Sequence, residues 1–162
     1  MSMKVMGVDP GAAHTGVAVV CGTGLCVESY SFGTITTSPT DSTSTRLLQI
    51  FDAISSILME KTPDLMVVEA VFSLGKYPKS GILLGKVAGV ILLAGGRCQV
   101  PVQEVAVREA KKVLTGSGNA NKDQLEMAVR NKIGRTEPVR PSHASDALAL
   151  ALIGLFRAQG LS

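Results

Sequence analysis

Residues 3–33 hold three strand-like runs in close succession, and this crowding limits the possible folds more than any other feature of the chain. Residues 3–9 and 16–21 are apolar and residues 26–33 alternate, with Gly11, Gly16, Gly22 and Gly24 marking the turns. Connections this short join antiparallel neighbours, so the spacing predicts a meander. The remainder alternates between helix and strand. A helix is expected from about Ser44 to Glu60, with Leu47, Leu48, Phe51, Ile54 and Leu58 on one face. After the Pro63-Asp64 break, Leu65 to Glu69 reads as a buried strand. Further on, a strand is expected over Val100–Glu104, with helices near Val105–Leu114, Lys122–Lys132 and Ser142–Arg157. The order predicts an α/β sandwich around a mixed sheet of five strands, flanked by helices.

At 162 residues and 46% hydrophobic content, the chain is expected to form one domain, 1–162. A domain of this length buries roughly 70% of its unfolded surface. Cys21, Cys26 and Cys98 are odd in number and lack zinc-type pairing with histidines, so reduced thiols are expected rather than a disulfide framework. The start, Met1-Ser2-Met3-Lys4, runs into a strand without a signal-like apolar region, so a soluble cytoplasmic protein is expected. The polar segment 34–45 reads as loop plus helix entry. Residues 80–95 are apolar on nearly every face, with Lys86 as the interruption and Gly85 and Gly89 permitting close approach. Length and Lys86 argue against a membrane span. Such a helix belongs to the core or is shared with a second subunit.

The net charge of +3 conceals an asymmetry. Residues 1–75 carry three Lys or Arg against seven Asp or Glu, whereas residues 76–162 carry thirteen against six. A basic half can be a solvated surface, or it can meet a polyanion.

Four side chains stand out as candidates for chemistry. Asp9 ends the first strand at Pro10-Gly11, where an aspartate can simply form a turn. Glu69 ends an apolar strand, a costly place for a carboxylate without a partner. His143 and Asp146 are three positions apart and share a helix face near its beginning. Ser142 can serve as N-cap, and Asp146 suits the first turn of a helix for electrostatic reasons alone. If all four meet, three carboxylates and an imidazole need cations, and hard oxygen donors select Mg²⁺ or Mn²⁺. Two such ions, about 4 Å apart, serve in-line phosphodiester hydrolysis.

These residues occur in motifs that resemble the RuvC family of Holliday-junction resolvases, within the ribonuclease H-like superfamily. The motifs are GVDPGAAHTG at Asp9, VVEAVF at Glu69, AKKVLTGSGNANKDQ, and SHASDALALAL at His143 and Asp146, in family order and over nearly the whole chain. The resemblance implies a ribonuclease H-like fold and a metal-dependent crossover junction endodeoxyribonuclease acting in recombination and repair. It implies metal ligation by Asp9, Glu69, His143 and Asp146, with Asp9 between two Mg²⁺ ions. Many relatives carry aspartate at the position of His143, so the imidazole here either binds metal or helps deprotonate the attacking water. Phe72 resembles the aromatic that stacks on unpaired bases at the junction centre, a contact worth roughly 1–3 kcal/mol per base. Lys111 and Lys122 resemble the family's lysines near the scissile phosphate, Lys122 counting among the catalytic groups. Lys76, Lys79, Arg108 and Lys112 are expected to contact the DNA backbone.

The loop after Phe72 reads SLGKYPKS, with Tyr77-Pro78 where relatives are expected to carry a Lys-Asn pair. The resemblance further implies a four-way DNA junction as partner, a homodimer through the helix around residues 80–95, a branch-migration helicase complex, and a nucleoid-associated location. Alternative readings are a non-cleaving junction- or RNA-binding module of the same fold, or a related ribosomal RNA-processing nuclease. A phosphate-binding ATPase would need a second lobe, for which the chain is too short.

Overall fold

The computed structural model describes residues 1–71 and 78–160. Its elements follow the order β1 (Met3–Asp9), β2 (His14–Thr23), β3 (Cys26–Thr36), α1 (Thr43–Lys61), β4 (Leu65–Glu69), α2 (Pro78–Arg97), β5 (Val102–Val105), α3 (Val107–Thr115), α4 (Lys122–Lys132) and α5 (Ser142–Ala158). The five strands form one sheet in the order β3-β2-β1-β4-β5. β1, β2 and β3 make the expected antiparallel meander, and β1, β4 and β5 run parallel to one another. The predicted ribonuclease H-like layout is therefore the one observed.

Alternation along the strands divides the side chains between two layers. Val5 on β1 and Leu65 and Val67 on β4 pack with α3, α4 and α5. Met6, Val8, Met66 and Val68 face the opposite side and pack with α1 and α2. Because the side-chain period of a strand is two, Gly7 and Asp9 fall on the α5 side with Val5, and Glu69 falls there with Val67. The period thus fixes which face receives both carboxylates.

The segment 80–95, apolar on nearly every face, is expected in the core or shared with a second subunit, while Leu148, Leu152 and Leu155 suggest an amphipathic last helix. In the structure α5 is the enclosed one: every residue from Ala144 to Phe156 except Asp146 is buried. It lies on β1, β2 and β4 and is covered by α3 and α4. By contrast α2 buries only one side, with Val87, Ala88, Ile91 and Ala94 inward and Ile82 and Leu93 each 61% exposed. Apolar content alone does not say which helix has neighbours on both sides. The length argument against a membrane span also falls, since α2 runs 20 residues and is apolar and long enough to cross a bilayer by composition. Its one-sided packing on the sheet layer is what assigns it to this fold.

Smaller boundary shifts have local causes. β5 begins only at Val102, just past Pro101, which has no N–H to donate to a ladder. Val105 closes β5 rather than opening α3, pairing in register with Glu69. Ser142 lies inside α5, whose N-cap is Pro141 with no side-chain cap bond. β3 runs on to Thr36, so the loop of the 34–45 segment is shorter than expected.

α5 sits unusually close to the sheet. A Cβ at Gly7 would come within 2.6 Å of the Ala151 nitrogen, with the Ala147 carbonyl nearer still. A Cβ at Gly16 would run into the His143 carbonyl. These two glycines let the helix backbone rest directly on β1 and β2.

Candidate active site

Asp9 and Glu69 end adjacent parallel strands. The β1–β4 register aligns Val5 with Leu65 through Val8 with Val68, so the two carboxylates emerge side by side at the same sheet edge. Strand mouths of this kind are where ligands bind in α/β sheets. The first turn of α5 reaches the same place. Gly16, opposite Asp9 on β2, admits the α5 backbone at His143, which positions the imidazole over Asp9.

The result is a direct contact: His143 Nδ1 lies 2.9 Å from Asp9 Oδ2. Asp9 is buried, 6% exposed, whereas the His143 side chain is 40% exposed. One side of the imidazole therefore faces solvent.

The carboxyls share their discomfort. Burial is the main reason that Asp9 rises to about 6; a hydrogen bond from Glu69 and the charge of Lys122 oppose the rise, and Asp146 adds to it. Glu69 is pushed up to about 8 by burial first, and then by its hydrogen bond to Asp9 and the Asp9 charge; His143 and Lys111 pull it down. Burial beside one another thus favours a proton on the Asp9–Glu69 pair as long as no cation neutralises it. Asp146 is also raised, chiefly by burial and by Glu69, with Lys122, His143 and Lys111 opposing. Of the four expected site residues, His143 contacts Asp9 directly, Glu69 ends the neighbouring strand, and Asp146 acts on the others through its charge, as do Lys111 and Lys122.

Among the described residues, no three His, Cys, Asp or Glu groups already converge on a common ligand position. Asp9 is instead engaged by His143 and by Glu69. The donor set still fits a hard divalent cation. It offers carboxylate oxygens plus one imidazole, and a cation would stabilise the charged form of carboxyls that burial alone disfavours.

Other expected contacts are more dispersed. Lys79, Arg108 and Lys112 are exposed, on α2, α3 and α3 respectively. The Arg108 side chain lies along Gly118 in the loop before α4. Phe72 and Lys76 fall outside the described residues. Two contributors escaped the sequence reading. Thr15, fully buried, donates from Oγ1 to the Gly11 carbonyl at 2.7 Å and so locks the turn that follows Asp9. His14 stands beside the site with its ring 6.0 Å from that of His143. The signal available for Thr15 was a hydroxyl four residues after the turn glycine.

A family model described as crossover junction endodeoxyribonuclease RuvC matches residues 5–154. The chain belongs to the RuvC family. A RuvC from Carboxydothermus hydrogenoformans is 36% identical over 159 residues, covering 98% of this chain and 99% of that protein. A RuvC from Salinispora arenicola is 36% identical over 156 residues, covering 96% of this chain and 89% of that one. Among solved structures, Thermus thermophilus RuvC in complex with Holliday junction substrate superposes with a TM-score of 0.91 at 32% identity, over 97% of this chain and 95% of that chain. The yeast mitochondrial Holliday junction resolvase superposes with a TM-score of 0.61 at 11% identity, which speaks for the fold alone. The ribonuclease H-like fold read from the topology is the RuvC fold. RuvC-family nucleases are metal-dependent, in keeping with the carboxyl cluster at the strand mouths.

Proposed function

We propose that this RuvC-family chain is a structure-selective endodeoxyribonuclease that resolves Holliday junctions by hydrolysing phosphodiesters in symmetric strands. The observation that carries the reading is the placement of Asp9 and Glu69 at adjacent strand ends with His143 in contact with Asp9, in a chain that matches crossover junction endodeoxyribonucleases over nearly its full length.

Asp9, Glu69, His143 and Asp146 are the residues that would hold metal. When bound, Mg²⁺, two ions per site with Mn²⁺ as a substitute, supplies Lewis acidity that activates water and stabilises the leaving oxygen of an in-line displacement. Asp9 is the central ligand in this reading, since it is buried and in direct contact with His143. His143 orients Asp9 through its Nδ1 contact. Its half-exposed ring can accept a proton from an approaching water. Lys111 and Lys122, whose charges already act on the carboxyls, bring the scissile phosphate to a cluster that would otherwise repel it. Phe72 and Lys76 are assigned to junction contacts by family resemblance, with Lys79, Arg108 and Lys112 on the exposed basic surface.

Two symmetric nicks need two sites, and α2 supports a homodimer. Its outer side presents Ile82 and Leu93, with Gly85, Gly89 and Gly96 leaving open space for a second helix to approach. A two-fold pairing along α2 would place one active site against each of two equivalent strands. Location at the nucleoid and cooperation with a branch-migration helicase belong to the same proposal.

The test is incubation of the purified protein with an end-labelled four-way junction and with a linear duplex of the same sequence, in Mg²⁺ and then in Mn²⁺. Paired nicks in the junction and none in the duplex support the reading. Binding without nicking in either metal overturns it in favour of a non-cleaving module.

A further inference from the structure

β2 opens at the active-site end of the sheet, and the strand period of two sorts its first side chains between the faces. Gly16 faces α5, since a Cβ added there would run into the His143 carbonyl. His14, two positions earlier, falls on the same face one step nearer the strand mouth. Its ring therefore lies beside that of His143, with centroids 6.0 Å apart and planes inclined by 35°. Aromatic pairs sit at about 4.5–7 Å and prefer offset or tilted arrangements, so this is a packed pair of rings.

The His14 ring has a support behind it. In the β2–β3 register His14 stands opposite Thr36, and its Nδ1 lies 3.3 Å from the Thr36 hydroxyl. Thr36 is steadied in turn by the residue after it. Thr37 is 5% exposed; its N–H donates to the Ala13 carbonyl at 3.1 Å, and its hydroxyl donates to the Ala12 carbonyl while accepting from Arg46 Nε at 2.9 Å. Arg46, in the first turn of α1, thus ties the end of β3 to the turn that follows Asp9.

The His143 side chain needs such a restraint. It is 40% exposed, and among the described residues its hydrogen bond is the one to Asp9. An imidazole held at one atom can turn away to other staggered rotamers, and a second ring packed beside it removes that freedom.

We propose that His14 is a positioning residue of the nuclease site: its ring, backed by Thr36, keeps the His143 imidazole on Asp9. The inference rests on the nuclease reading for its effect on nicking, whereas the ring contact itself is tested without substrate. The contribution of His14 is steric, so another flat ring serves in its place.

The chain has two histidines, so in His14→Ala and His14→Phe every remaining imidazole signal belongs to His143. Proton–nitrogen correlation spectra of the isotope-labelled full chain in chelator give the exchange rate of the His143 Nδ1–H in wild type and both variants. In the wild type this proton is expected to be visible, protected by its bond to Asp9. His14→Ala is expected to speed its exchange about three- to tenfold, the equilibrium worth of an aromatic pair, and His14→Phe to bring it back to within about twofold. Junction nicking at saturating Mg²⁺ should follow the same order, falling about three- to tenfold in His14→Ala and recovering in His14→Phe. His14 is exposed, so the thermal transitions of the three proteins should agree. Wild-type exchange in His14→Ala, no recovery in His14→Phe, or full nicking by His14→Ala despite faster exchange overturns the positioning role. Absence of nicking by the wild type, with the exchange difference present, removes the nuclease reading and leaves the ring contact standing. Nicking by the wild type with no exchange difference removes this inference alone.

Discussion

His143 Nδ1 lies 2.9 Å from Asp9 Oδ2, joining the first turn of the last helix to the end of the first strand across 134 residues of sequence. This contact places the imidazole within the carboxyl cluster and fixes the orientation of the most buried carboxylate. Replacing His143 by Ala should lower Mg²⁺-dependent nicking by about 10–100-fold, the usual cost of losing a group that orients a metal ligand. His143→Asp, which restores an oxygen donor, should recover much of the loss. Nicking rates measured over a Mg²⁺ titration check this, and an unchanged rate for His143→Ala at every concentration would refute the assignment.

The raised carboxyls make the metal-free protein sensitive to pH. Glu69 moves from an ordinary 4.5 to about 8 on folding, and Asp9 from 3.8 to about 6. Between those values the folded chain holds more protons than the unfolded one, so stability is greatest at the acid end and falls as pH rises through the window. In chelator, the thermal transition should be lower at about pH 9 than at about pH 5.5. Glu69→Gln, which cannot ionise, should flatten that dependence, and added Mg²⁺ should recover stability at the alkaline end. A Glu69→Gln profile identical to the wild type would contradict the burial account.

The close seating of α5 predicts sharp intolerance at Gly7 and Gly16. A methyl at Gly7 meets backbone atoms of Ala147 and Ala151, and one at Gly16 meets the His143 carbonyl. Neither obstacle is a flexible side chain, so Gly7→Ala and Gly16→Ala should each cost about 1–3 kcal/mol or more in denaturant unfolding. Gly16→Ala should also reduce nicking, because it displaces His143. Gly33→Ala, with nothing within 4 Å, is the control and should be close to neutral.

The outer side of α2 predicts the oligomeric state. Leu93→Glu adds a charge at a position that is 61% exposed in the single chain, so it should leave the thermal transition of the chain nearly unchanged. It should convert a dimer to a monomer in sedimentation equilibrium and abolish paired nicking. A variant that remains dimeric would place the interface elsewhere.

Much of this was legible in the sequence because local signals agreed. The apolar run ending at Asp9, the Pro-Gly turn and the glycine-spaced meander all point to the same strand ends, and the His143–Asp146 spacing places both residues in one helical turn. The packing of α2 and α5 was not legible. Both are rich in small and apolar residues, and only the tertiary arrangement decides that α5 is covered by α3 and α4 while α2 keeps an open side. The cap of α5 was misread for a related reason, since Ser142 suits an N-cap but Pro141 occupies that position. The protonation of Glu69 was also beyond reach, because it depends on burial beside Asp9, a distance no spacing rule supplies.

The most direct test of the central claim compares the wild-type chain with Asp9→Asn on a labelled four-way junction, measuring binding in chelator and nicking in Mg²⁺. Asparagine keeps the shape of the side chain and removes the charge on which the site depends. The account predicts that the wild type introduces paired nicks, whereas Asp9→Asn binds the junction with comparable affinity and leaves both strands whole. Nicking by Asp9→Asn at the wild-type rate would contradict it.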